Sequence, residues 1–114
     1  MYNSNLKSIE FRGSSLDDLR RFPSDVRRDA GYRLELIQND RTVSDVKSMK
    51  QIGSGVLEIR LWSEQGTFRV IYVSKLRNVV YVLHCFQKKS QVTAQADLDL
   101  AVSRYKSLLR ELGL

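Results

Sequence analysis

One cysteine, one histidine, one proline and one tryptophan occur in 114 residues. Lone Cys85 excludes an intramolecular disulfide, and a reducing cytoplasm is the expected compartment. One Cys with one His cannot assemble a Cys/His metal cluster, so no metal is expected. No apolar run approaches the roughly 18–20 residues of a membrane-spanning helix, so no membrane partner is expected. The opening "MYNSNLKSIEF" lacks the basic-then-apolar layout of a secretory signal. Gly-rich phosphate loops, serine elbows and paired-carboxylate motifs are missing too, and no small-molecule cofactor is expected.

What is present is ordinary for a soluble globular chain, with 42% hydrophobic and 28% charged residues. The length suits one domain, residues 1–114, with a core of its own. The charge is uneven. Residues 1–50 hold ten basic and eight acidic side chains, whereas residues 51–114 hold nine and five, a +4 excess. Such an excess suits a polyanionic partner without naming one.

"LKSIEFR" alternates, setting Ile9 and Phe11 against Leu6, Ser8 and Glu10, and predicts a strand. "SSLDDLRRF" predicts a short helix with Ser15 as its cap, broken at Phe22-Pro23. Val26, Ala30, Leu34 and Ile37 form the stripe of a second helix, about Ser24 to Gln38. A polar connection follows, in which "VSDVKSM" suits a helical turn or a strand fragment. Three strands then alternate: "VLEIRLW", "TFRVIYV" and "VVYVLHCF". The short links "SEQG" and "SKLRN" make them an antiparallel meander. The third is apolar on both faces and is expected to be central. Thr93 is the expected cap of a last helix, with Leu98, Ala101, Tyr105 and Leu108 inward and Gly113 ending it. The predicted class is α+β: strand, two helices, three-stranded meander, helix. Leu57, Ile59, Leu61, Val70, Leu98, Ala101, Tyr105 and Leu108 are expected to be buried together.

The residues that break the strand patterns carry the chemistry. Glu58 and Arg60 leave one face of a strand, Arg69 interrupts the next, and Lys88 and Lys89 end the third. Neighbouring strands would bring Arg60, Arg69 and a lysine to one concavity beside Glu58. A solvated sheet face with cross-strand ion pairs has the same pattern. Trp62 suits either stacking on an unpaired base or covering a core edge. His84, mid-strand, reads as a packed histidine bonded to backbone, and Cys85 as a small core hydrophobe. Arg69 is expected to be exposed, so its removal should spare the fold.

These pieces in this order resemble the phage-derived, HigB-like branch of the RelE/ParE toxin superfamily. The resemblance spans nearly the whole chain. It is carried by Glu58-x-Arg60, "FRV" around Arg69, and Phe86-x-Lys88-Lys89 followed by Thr93 and a helix with Ala101. It implies a RelE-like fold and the toxin of a type II toxin–antitoxin pair, with a cognate helix-turn-helix antitoxin as partner. It further implies a metal-independent endoribonuclease acting on mRNA in the ribosome. Arg69, Arg60, Lys89 and Glu58 would be catalytic, and Lys88, Trp62, Arg77 and Lys75 would contact RNA. Two departures stand out: Glu58 occupies a basic position, and no tyrosine occurs from Ser90 to Ala96. A ParE-like toxin that blocks a protein target such as DNA gyrase, or a degenerate member that only binds antitoxin, is the alternative.

Overall fold

The computed structural model describes residues 6–114; residues 1–5, part of the stretch read for a secretory layout, lie outside them. The elements are β1 (Ser8–Phe11), α1 (Ser15–Arg20), α2 (Ser24–Gln38), β2 (Val46–Ser48), β3 (Val56–Ser63), β4 (Gly66–Leu76), β5 (Val79–Lys88) and α3 (Gln95–Leu112). They form a five-stranded sheet ordered β1-β5-β4-β3-β2 with helices on both faces. β1 is parallel to β5, and every other pair is antiparallel. The α+β class and the element order are those the hydropathy pattern predicts. The ambiguous connection resolves into the strand fragment β2, which pairs with Leu57–Ile59 of β3.

Strand alternation divides the interior in two. Ile59, Leu61, Phe68 and Val70 meet Val26, Ala30, Leu34 and Ile37 of α2. Val56, Ile71 and Val73 point the other way, toward Ala101, Tyr105 and Leu108 of α3. The expected single cluster is therefore two. Leu57, Ile59, Leu61 and Val70 belong with α2, while Leu98, Ala101, Tyr105 and Leu108 pack across the sheet from them. A pleated strand sends successive side chains to opposite faces, and here each face has its own helix.

β5 is apolar on both faces because α1 and α2 cover one and α3 the other. It is not the middle strand, however: β4 is, with β5 between β4 and β1. Ile71 pairs with His84 but Tyr72 with Val82, so Leu83 is an extra residue in β5. This bulge brings Leu83 and His84 to the same, α3-facing side, with Cys85 returning to the α2 side. His84 accordingly meets a carboxylate rather than the expected backbone group: its Nε2 lies 2.7 Å from Asp97 Oδ1. Its ring stacks on Phe86 with centroids 4.9 Å apart.

α3 begins one residue too late for Thr93 to cap it. Ala94 holds the cap position, with extended backbone and no side-chain cap bond. At the other end Gly113, at φ 74°, closes the helix as expected. The β4–β5 hairpin turns through Arg77 and Asn78 at φ 54° and 58°, the left-handed pair that a type I′ turn requires.

Tyr105 closes the α3-side core, its hydroxyl donating to the Ser54 carbonyl at 2.8 Å. Its ring occupies the space that a Cβ on Gly53 would fill. Gly53→Ala should therefore lower stability by about 1–3 kcal/mol through overpacking. Gly31, inside α2 with nothing within 4 Å of its would-be Cβ, is the control. Gly31→Ala should raise stability by about 0.5–1 kcal/mol, both read from denaturant titration.

Candidate nucleic-acid interface

Toward the far ends of β3 and β5, beyond α3, the sheet face that α3 packs on turns polar. There a cavity of about 320 Å³ opens, walled by Lys47, Met49 and Gln51 on one side and Gln91, Val92 and Thr93 on the other. Its floor carries Glu58, Arg60, Arg69 and Lys88, one or two from each of three adjacent strands. Period-two alternation makes this convergence possible. Lys47 stands opposite Glu58, and Arg60 opposite Arg69, all on one face.

Two arginines directly across a ladder repel each other, and each has an acid to offset the repulsion. Arg60 Nη2 is 3.9 Å from Asp45 Oδ1. Arg69 Nε is 3.4 Å from Glu58 Oε1, an ion pair without hydrogen-bond geometry. Arg69 also donates from Nη1 to the Phe68 carbonyl at 3.1 Å, and its guanidinium lies 5.5 Å from the Trp62 ring centroid. Arg69 is only 5% exposed and Glu58 4%, so the expectation of an exposed arginine is overturned. Trp62 beside it and Glu58 diagonally across take the guanidinium out of solvent.

Burial pushes the Glu58 carboxyl above its ordinary range, against the opposing charges of Arg69, Lys47, Lys88 and Arg60. Burial also lowers the Arg69 guanidinium, with Glu58 raising it and Arg60 lowering it further. Three buried atoms lining this cavity lack hydrogen-bond partners: Glu58 Oε2, Arg60 Nε and Arg69 Nε. Such atoms are uncommon in folded proteins. Two donors and one acceptor left open together suit an oxyanion that carries a hydroxyl beside it.

The sequence-predicted set divides. Glu58, Arg60, Arg69 and Lys88 line the cavity, and Trp62, 59% exposed, stands at its rim against Arg69. Lys89 does not line it; the side chain after Lys88 leaves the strand end exposed. Lys75 and Arg77 sit at the other end of β4, about 20 Å away along the strand. Arg77 is spent on α3, donating to the Leu112 carbonyl at 2.6 Å. Lys47, Gln51 and the Gln91–Thr93 wall were not read from sequence. The one available signal was "VKSM", which as a strand fragment would set Lys47 on the face of Glu58. Cys85 is core, as expected, its thiol pushed up by burial.

The model of the family described as "Phage derived protein Gp49-like (DUF891)" matches residues 17–106. The chain belongs to this phage-derived Gp49-like family. Its fold is that of the RelE toxins. An arginine-to-alanine double mutant of E. coli toxin RelE in the free state superposes with TM-score 0.62 at 17% identity, covering 91% of this chain and 99% of that one. The toxin–antitoxin complex RelBE2 from Mycobacterium tuberculosis gives TM-score 0.53 at 15% identity, covering 77% of this chain and 98% of that one. No curated protein sequence matches.

In this Gp49-like chain, Arg69→Ala leaves Glu58 buried without its nearest counter-charge and should cost about 3 kcal/mol. The cost has a pH signature. Glu58 already has a folded-state pKa above its ordinary value, and losing Arg69 raises it further. The stability linked to a raised carboxyl is present below its unfolded pKa and lost as pH rises through the folded one. The drop in melting temperature should thus be larger at pH 8 than at pH 5, and Glu58→Gln in the same chain should recover part of it.

Proposed function

We propose that this chain is the toxin of a type II toxin–antitoxin pair and that it cleaves mRNA held in the ribosome. The observation that carries the proposal is one buried carboxylate among four cations on the open sheet face of a RelE-type fold. The named neighbours, a toxin and a toxin–antitoxin complex, support it. A helix-turn-helix antitoxin is the proposed partner, and the cytoplasm the proposed site of action.

The reaction is transesterification by the substrate itself. The 2′-OH attacks the adjacent phosphorus, forming a cyclic phosphate and breaking the P–O5′ bond. Glu58 accepts the 2′-OH proton, for which it must be ionised; its unpartnered Oε2 is the receiving atom. Arg69 and Arg60 stabilise the charge that builds on the phosphorane, worth on the order of 2.7–4 kcal/mol per donor. Lys88, across β4 from Glu58, protonates the departing 5′-oxygen. In-line displacement puts entering and leaving oxygens at opposite poles, and the floor carries base and acid on β3 and β5, the two strands that flank β4. Trp62 offers its open face to a neighbouring base. A ribosome that already positions the RNA leaves little else for a small protein to supply.

Expression of the chain alone in a bacterium should arrest growth, with relief on co-expression of the antitoxin. Arg60→Ala is the sharper test than Arg69→Ala, because Arg60 is half exposed and its loss should leave the melting temperature nearly unchanged. It should abolish codon-linked cuts seen by toeprinting translating ribosomes. Gyrase-dependent DNA breaks with intact mRNA would replace this reading by that of a gyrase inhibitor.

A further inference from the structure

Lys47 is the cation in the cavity for which the ribonuclease reading has no use. Every other one is engaged. Lys88 Nζ donates to the Gln91 carbonyl at 2.7 Å, Arg60 faces Asp45, and Arg69 holds Glu58 and the Phe68 carbonyl. Among the described residues, Lys47 makes no hydrogen bond or ion pair through its ammonium. Its place is nonetheless set by the ladder. It is the direct cross-strand partner of Glu58, on the same face, where opposed Cβ atoms lie about 4.5–5.5 Å apart. β2 has only three residues; its first, Val46, packs against the α2-side core, and Met49, just after the strand, lies in the α3-side core. Both neighbours are anchored, so the strand cannot slip without moving apolar side chains to the wrong face.

We infer that Lys47 is a positioning residue that keeps Glu58 ionised, so that the carboxylate is available as a base near neutral pH. This rests on the role given to Glu58 above. The charged groups facing Glu58 are Lys47 from β2, Arg60 on its own strand, Arg69 from β4 and Lys88 from β5; the wall from Gln91 to Thr93 is neutral. Arg69 is itself buried and shares its charge with the pair, and Arg60 and Lys88 are bound elsewhere. Lys47 is thus the cation whose charge is not already committed, at the shortest ladder separation from the acid. Desolvation drives Glu58 toward its neutral form, and an opposed ammonium works against it. Loss of a lysine that bound phosphate directly would act differently, lowering affinity at every pH.

The test separates these roles without requiring catalysis. In ¹³C NMR titration of the free protein, Lys47→Gln should raise the Glu58 carboxyl midpoint by about one pH unit, the low end for an opposite charge at this range because Lys47 is solvated. Lys47→Arg should leave the midpoint in place, and Lys47→Glu should raise it beyond Lys47→Gln. On translating ribosomes, the acidic limb of the cleavage rate should move up with the midpoint, a roughly tenfold slower reaction below it, while the plateau at high pH is kept. An unmoved midpoint overturns the inference, as does a cleavage loss uniform across pH. If the midpoint moves but the wild-type chain cuts no RNA, the ribonuclease reading falls and the coupling of Lys47 to Glu58 stands.

Discussion

Glu58 and Arg69 are both removed from water, and their attraction offsets that cost only while their geometry is held. The holding is done by the sheet. Both side chains rise from strands whose opposite faces are locked into the α2-side core by Ile59, Val70 and Phe68. Neither strand can rotate or shift by a residue without exposing those groups. A polar corner is therefore carried by an apolar floor, and the floor determines where each charge stands.

The other walls depend on the same sheet through α3. The bulge at Leu83 turns His84 toward the helix, where it meets Asp97 in the first turn. That contact ties the start of α3 to β5 just after the Gln91–Thr93 segment that walls the cavity. Arg104 ties the helix middle, donating to the Leu83 carbonyl and to Ser14 Oγ, each at 2.9 Å. Arg12 bridges Glu10 and Glu111 near its end. α3 is thereby fixed along its length and leaves the polar end of the sheet open, so the site stands on rigid elements.

Much of this was legible in the chain. Alternation in "VLEIRLW" and "TFRVIYV" assigned Glu58, Arg60 and Arg69 to one face, opposite the residues that pack on α2. The stripe from Leu98 to Leu108 placed α3, and Gly113 ended it. Exposure was harder to read. An arginine inside an apolar strand looks like a surface residue by type, yet Trp62 and Glu58 bury this one. Of the two lysines read at the strand end, Lys88 is the last paired residue and lines the cavity, while Lys89 does not.

By itself, then, the sequence determined the longer elements, their order and which side chains of β3 and β4 share a face, because period two and period 3.6 are local properties of the backbone. Only the tertiary structure decided which elements meet. It gave the sheet two cores instead of one, put β4 in the middle, and gave His84 an acid thirteen residues away for a partner. It also brought Lys47, from a three-residue strand in a polar connection, opposite Glu58. A segment that short has no hydrophobic period of its own, and its register is set by the strand it pairs with.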